Sequence, residues 1–193
     1  HAMALWEVQQ YSTALRHLPH SGDRMLQFSP AYWGAAVFGQ LDLALAFGAC
    51  IVIVKSCGSE ALAKAVERFQ ISVLGVVPSQ LRGAWPGGPS TKPPSLRILV
   101  SWAERLPPQL AAQWKTEVQM FELLIASEYW LTFHSDLVLH RDRSEGVEKH
   151  VLHALPELDL KLIRSDGLEA QEGEEGEVLL AGDTVFPGYV TEH

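Results

Sequence analysis

Four consecutive β-branched residues, Ile51-Val52-Ile53-Val54, constrain this chain more than any other feature. Such side chains are stiff at χ1 and pack best on a pleated surface, and an uninterrupted apolar run predicts a strand buried on both faces. Residues 32–47, just before it, place apolar side chains on a helical period at Trp33, Val37, Leu41 and Leu45. Gly48 then falls at the C′ place, where a left-handed residue ends a helix. A helix followed by a buried strand is a unit of parallel-sheet architecture.

The unit recurs. A short apolar strand is expected at 25–28, after the turn His20-Ser21-Gly22-Asp23. Ser59 can cap a helix over 59–69, with Glu60 in the first turn favoured by the helix dipole. Residues 71–77 read as the next buried strand, closed by Pro78, and Ser79 opens a short helix towards Trp85. Pro and Gly make 86–94 a loop. A strand at 96–100, a helix at 108–117 and a strand at 118–125 complete the series. The fold class this predicts is α/β: a parallel sheet of about five strands with helices on both faces, joined by right-handed crossovers. After about Tyr129 the pattern changes to short strands at 131–140, 150–155, 158–164 and 176–181, a small β subdomain whose last hairpin turns at Ser165-Asp166-Gly167. Helix and strand compete most closely at 148–153.

Composition narrows the function classes. Hydrophobic residues are 47% and charged residues 20% of 193, which excludes disorder of the whole chain. The net charge of −8 argues against nucleic acid or an anionic membrane as the main partner. Glu169, Glu172, Glu174, Glu175 and Glu177 read as a solvated turn face. Cys50 and Cys57 give no disulfide framework, so a reducing cytoplasm is the default compartment. Cys57, before Gly58, is either a thiol at a helix N-terminus or a spectator. His134, His140, His150 and His153 lack rigid metal-ligand spacing and read as surface or packing residues. Neither Ser79 nor Ser127 sits in a Gly-x-Ser-x-Gly elbow, which argues against a hydrolase triad. No signal-peptide pattern opens the chain and no apolar run is long enough to span a bilayer. His1-Ala2-Met3 look like an expression scar.

Several words of the sequence, in order, carry a resemblance. They are Gly22-Asp23-Arg24-Met25-Leu26-Gln27-Phe28-Ser29, the stretch 43–53, the stretch 71–81 (ISVLGVVPSQL), Leu96-Arg97-Ile98 with Ala103-Glu104-Arg105-Leu106-Pro107, and Glu174-Glu175-Gly176-Glu177-Val178 with Gly182 and Gly188-Tyr189. Together they resemble the adenylate-forming superfamily: nonribosomal-peptide adenylation domains, carrier-protein ligases and acyl-CoA synthetases. The resemblance implies a Rossmann-like α/β subdomain of an adenylation domain over 4–128 and a small, truncated β-rich subdomain over 129–193. In an intact parent it implies activation of a carboxylic acid with ATP and Mg²⁺ to an acyl-adenylate, and transfer of the acyl group to a thiol of a carrier protein or CoA.

The same resemblance exposes departures. It begins just downstream of the family's Gly/Ser/Thr-rich phosphate loop and ends before the ribose-gripping aspartate and the domain that carries the catalytic lysine. The family's YGxTE signature falls on Leu124-Ile125-Ala126-Ser127-Glu128. Ser127 and Glu128 keep the hydroxyl and the carboxylate that the resemblance assigns to phosphate and Mg²⁺. The alternative for both is a polar strand-to-loop transition. Leu124 replaces an aromatic ring and Ile125 a glycine. In the GGE word, Trp102 and Ala103 stand where glycines stand, with Glu104 kept. Trp33-Gly34 occupies the FD word that lines the substrate pocket of amino-acid-activating members, so no counter-charge is offered there. Trp33 and Trp102 read as core or pocket filling rather than stacking. The implied nucleotide site is therefore vestigial, with no cofactor expected to bind this chain tightly. A non-catalytic scaffold is the other reading, and exposed apolar surface is expected to promote homo-oligomers.

Overall fold

The computed structural model describes residues 2–15, 19–55, 58–135, 137–141, 148–156, 158–182 and 185–189. Its centre is a seven-stranded sheet. Five strands are parallel, in the order β2 (Cys50–Ile53), β1 (Arg24–Gln27), β3 (Val73–Val76), β4 (Ile98–Ser101) and β5 (Gln119–Leu124). β6 (Phe133–Ser135) and β9 (His153–Ala154) then extend the same sheet antiparallel, past Tyr129. Two small antiparallel pairs stand apart, β7 (Leu139–Arg141) with β8 (Glu148–His150) and β10 (Asp159–Ile163) with β11 (Glu177–Ala181). The five parallel strands and the added β layer match the expected fold class.

Strand register explains the two cores. Leu26, Leu74, Leu99 and Met120 are successive partners across β1, β3, β4 and β5, so they line one face of the sheet. There they meet Leu62 and Val66 of α4 (Ser59–Arg68), Leu81 of α5 (Pro78–Ala84) and Trp114 of α6 (Pro108–Trp114). Met25, Val73, Ile98, Val100 and Phe121 point the other way. That face is covered by α1 (Ala2–Ala14) and by a helix built from α2 (Gly34–Ala36), a π-helical segment Val37–Asp42 and α3 (Leu43–Ala46). Each fully buried leucine in these rows stabilises the fold by about 2 kcal/mol relative to exposure.

Four local expectations are corrected. β2 is the edge strand, and Ile53 is 67% exposed. A β-branched run specifies extended backbone; it does not fix a place in the sheet. In the 34–46 helix the buried positions are Ala35, Ala36, Gly39, Gln40, Leu43 and Ala44, whereas Val37 and Leu41 are half-buried and Leu45 is exposed. The π-helical segment adds a residue to the turn and rotates the face away from a 3.6 period. Small residues then let the helix approach the sheet, and Gln40 Nε2 donates to the Gly75 carbonyl at 3.5 Å. Ser59 is the first helical residue of α4, whose N-cap is Gly58. Pro78 opens α5 at its first position, with Val77 as N-cap. Gly48 does take the left-handed conformation, φ 65°, and Ala49 N–H reaches Ala44 C=O at 2.8 Å in a Schellman closure. Cys57 lies outside the described residues, as do 142–147 of the second part. Cys50 is a free, exposed thiol.

α1 had no counterpart in the sequence reading, and Ala2 and Met3 belong to it. Its inward face carries Trp6, Glu7, Gln10, Tyr11 and Ala14. Glu7 is fully buried, and burial pushes its carboxyl up to about 8, with the Asp42 charge adding to the rise. The Tyr11 hydroxyl and the Trp130 indole N–H oppose this, though neither closes a hydrogen bond to it.

Candidate active site and family membership

The C-terminal ends of β4 and β5 open onto a cavity of about 400 Å³ lined by Ala103, Glu104, Arg105, Leu106 and Pro108 from one strand end and Glu122–Ile125 from the other. His150 and Leu152 close it from the antiparallel part. Open α/β sheets bind ligands beyond the carboxyl ends of their strands, where loops are free of ladder constraints. Four of the sequence-predicted residues, Ala103, Glu104, Leu124 and Ile125, meet here. Leu124 and Leu152 also line an adjoining cavity of about 460 Å³, with Tyr129, Phe133, Val178 and Leu180.

Local structure places each group. Ala103 follows β4 with φ 63°, a left-handed conformation that a glycine adopts without penalty and an L-residue adopts at a cost. This kink sends Trp102 and Glu104 in different directions. The Glu104 carboxylate is held by α5: Ser79 Oγ donates to Oε1 at 2.6 Å and Ser79 N–H to Oε2 at 2.9 Å. An acidic group at a helix N-terminus satisfies a free N–H and complements the dipole.

Trp102 turns away from the cavity into the opposite core and is 2% exposed. A Cβ placed on Gly75 would lie 2.0 Å from its ring, and one on Gly39 3.0 Å. Two glycines thus make the slot that the indole fills. Trp130 packs beside it, 3.3 Å from a Cβ position on Gly34. The predicted substrate-pocket pair does not line this cavity. Gly34 faces an indole, and Trp33 lines a shallow recess of about 370 Å³ with Phe28, Ser29, Pro30, Tyr32 and Gln80.

Ala126, Ser127 and Glu128 form the turn after β5. Glu128 Oε1 accepts a 2.6 Å hydrogen bond from Tyr189 Oη, which holds its carboxyl below the usual range. Phe186 N–H donates to the Glu128 carbonyl at 2.8 Å. The Gly188-Tyr189 word and the Ser127-Glu128 word, 61 residues apart, are thus brought together. Among the described residues no three His, Cys, Asp or Glu gather as a metal cluster. Glu128 fits Mg²⁺ only as a single ligand beside phosphate oxygens, the mode that ion commonly uses.

Sequence reasoning missed Glu122 and His150. Glu122 Oε1 accepts from Leu106 N–H at 2.9 Å, and Oε2 lies 2.9 Å from His150 Nδ1. A charge inside the apolar strand Gln119–Leu124 was the available signal, because a carboxylate there needs partners. Of the other histidines, His134 and His153 pair across β6 and β9 with ring centroids 5.8 Å apart and planes tilted by 42°.

Comparison with known proteins is consistent with this geometry. Residues 1–190 match the family model described as AMP-binding enzyme. An indoleacetate–CoA ligase of Aromatoleum aromaticum is 25% identical over 177 residues, which cover 90% of this chain and 34% of the ligase. A feruloyl-CoA synthase of Amycolatopsis is 28% identical over 174 residues, 88% of this chain and 34% of that protein. The chain thus spans about a third of the length of these curated relatives. Among solved structures, the Vibrio cholerae adenylation domain AlmE in complex with glycyl-adenosine-5′-phosphate superposes with a TM-score of 0.82 at 23% identity, over 99% of this chain and 37% of that one. The ATP-bound MatB of Rhodopseudomonas palustris gives 0.76 at 17%, over 97% and 36%. The α/β fold is therefore that of these enzymes, and the chain belongs to the AMP-binding enzyme family.

Proposed function

We propose that the cavity beyond β4 and β5 is the adenosine side of an ATP site, in an enzyme that converts a carboxylic acid to an acyl-adenylate and loads it on a thiol. The observation that carries this is the convergence of Ala103, Glu104, Leu124 and Ile125 on one cavity of suitable size. Its apolar walls suit the flat faces of a base. Bound ATP would supply the electrophilic α-phosphate for the acid's carboxylate. This chain's own residues would hold the base, exclude water from it and, through Ser127 and Glu128, offer a hydroxyl and a carboxylate towards phosphate and Mg²⁺. Glu128 must first release Tyr189 to do so. The relatives described above, an indoleacetate–CoA ligase and a feruloyl-CoA synthase, support CoA as acceptor; a carrier protein is the other thiol of the superfamily. The indole packed against Gly34 leaves no anion for an α-ammonium, which supports an acid without one.

Residues 4–128 are proposed to act as the Rossmann-like subdomain and 129–193 as the β-rich part that folds over it. Adenylation by these residues alone is not expected, because Leu124 and Ile125 replace the aromatic ring and the glycine of the family's signature. A second reading, a non-catalytic scaffold in a larger synthetase, is favoured by one observation: the Tyr189 hydroxyl occupies the Glu128 carboxylate. Exposed Leu5, Tyr32, Leu45 and Ile53 support self-association, which light scattering at rising concentration would detect. Calorimetric titration with ATP–Mg²⁺ and with a non-hydrolysable acyl-adenylate analogue separates the readings. Micromolar binding that weakens when Leu124 is replaced by Asp supports the nucleotide site. No heat and no thermal shift leaves the scaffold.

A further inference from the structure

The cavity beyond β4 and β5 holds one buried side chain with hydrogen-bonding capacity to spare. Glu104 and Arg105 are exposed, and the Glu104 carboxylate is engaged by Ser79. Glu122 is 9% exposed with both oxygens used, one by Leu106 N–H and one by His150 Nδ1. The His150 side chain is 5% exposed, and only Nδ1 is bonded to a described residue. Nε2 is left for whatever enters the cavity that the ring lines.

The chemistry of the pair sets what Nε2 can do. A carboxylate oxygen is an acceptor, so at 2.9 Å it takes the proton-bearing Nδ1. In the neutral ring this leaves Nε2 with a lone pair and no hydrogen, an acceptor only. Leu106, Leu123, Leu124 and Leu152 surround the opening with apolar walls, where an unmatched polar contact is costly. A ligand edge that presents an N–H is accepted; one that presents a carbonyl oxygen meets a second lone pair.

We propose that His150 is a base-reading residue, accepting a hydrogen bond from the amino group at C6 of adenine, where guanine carries a carbonyl oxygen, so that the cavity prefers adenine over guanine, and that Glu122 is the positioning residue that fixes its tautomer. This rests on the nucleotide reading above. It also gives β7 and β8 a role: that antiparallel pair carries the reading residue from outside the main sheet, and Glu122 of β5 docks it.

The test compares AMP and GMP binding to the full 193-residue chain by equilibrium titration. One hydrogen bond gained against one repulsive contact corresponds to a preference of roughly tenfold for AMP. His150→Phe abolishes the preference. Glu122→Gln reverses it: the amide oxygen must still accept from Leu106 N–H, so the amide NH₂ donates to Nδ1 and the ring proton moves to Nε2, which then donates to the carbonyl of guanine. A role in folding alone would move both ligands together. Direct observation of the imidazole tautomer by nitrogen–proton correlation NMR on the unmodified chain covers the case in which a variant fails to fold, with Nδ1–H expected. AMP binding with no preference, a preference that survives His150→Phe, or an Nε2–H tautomer overturns the assignment of His150 and leaves the nucleotide site standing. Failure of AMP and GMP alike to bind overturns both.

Discussion

The two ends of the parallel sheet are built on opposite rules. At the N-terminal end, Asp23 before β1, Ser72 before β3 and Arg97 before β4 close a network in which both carboxylate oxygens are used. Ser72 Oγ donates to Oδ1 at 2.6 Å, Arg97 Nε to Oδ1 at 2.8 Å, Arg97 Nη2 to Oδ2, and His20 N–H to Oδ2 at 2.8 Å. Burial works to raise the Asp23 pKa, but these donors outweigh it and bring the carboxyl down to about 2. At the C-terminal end the strands finish in a left-handed alanine, a cavity and a histidine with a nitrogen to spare. Saturated polar groups lock strands in place. Surplus ones can be completed by a ligand.

Breaking the closed end gives the largest effect. Arg97→Ala leaves a carboxylate 2% exposed without its cation, and a loss of about 3 kcal/mol is expected in urea unfolding. Because the folded pKa of Asp23 is depressed, its contribution is present above its ordinary 3.8 and disappears as pH falls towards 2. Asp23→Asn removes that acid-limb dependence. If Arg97→Ala is neutral, the contrast between the ends fails.

Overfilling the core beside the open end comes next. Gly75→Ala drives a methyl into the Trp102 ring, and about 2 kcal/mol of destabilisation is expected. Gly75→Ala combined with Trp102→Leu recovers part of it, since the clash is with the indole. Full loss in the double variant would show that Gly75 answers to the backbone instead.

Glu7 sharpens the comparison, because the helix-covered face also holds an unsatisfied acid. Its folded pKa of about 8 lies above its ordinary 4.5, so its contribution is fully present below 4.5 and is lost as pH rises to 8. The slope approaches about 1.4 kcal/mol per pH unit inside that window. Glu7→Gln flattens it, read from unfolding midpoints at pH 5 and pH 8. An unchanged slope would place the titration elsewhere. The smallest effect is a gain: Ala103→Gly relieves the left-handed strain and stabilises by about 1 kcal/mol, seen as a raised midpoint.

Much of the scaffold was legible because it obeys local rules. Apolar runs mark β1, β3, β4 and β5, and Gly48 marks a helix end. The 34–46 helix was misread in face, because a π-helical insertion shifts period without a residue type to announce it. α1 was invisible since its buried stripe includes Glu7 and Gln10, which a hydrophobic pattern counts as outward. The candidate site was half legible. Ala103, Glu104, Leu124 and Ile125 lie in recognisable words and do meet. Glu122 and His150 are 28 residues apart and meet only after β8 docks on the sheet, so no spacing rule links them. Trp102 and Gly75 likewise fit as ring and slot only in three dimensions.

The strand order β2-β1-β3-β4-β5 also has a kinetic consequence. The first strand in sequence, β1, is an inner strand that pairs with β2 at Arg24↔Cys50 and with β3 at Met25↔Val73, each across a crossover, and neither partner is a hairpin neighbour. The Asp23–Arg97 link spans 74 residues. Loop-closure entropy must be overcome before any of these contacts stabilises the chain, so folding is expected on the slow side for its size. Until β1 is sandwiched, its bare edges are open to other chains, and dilution during refolding is what protects it.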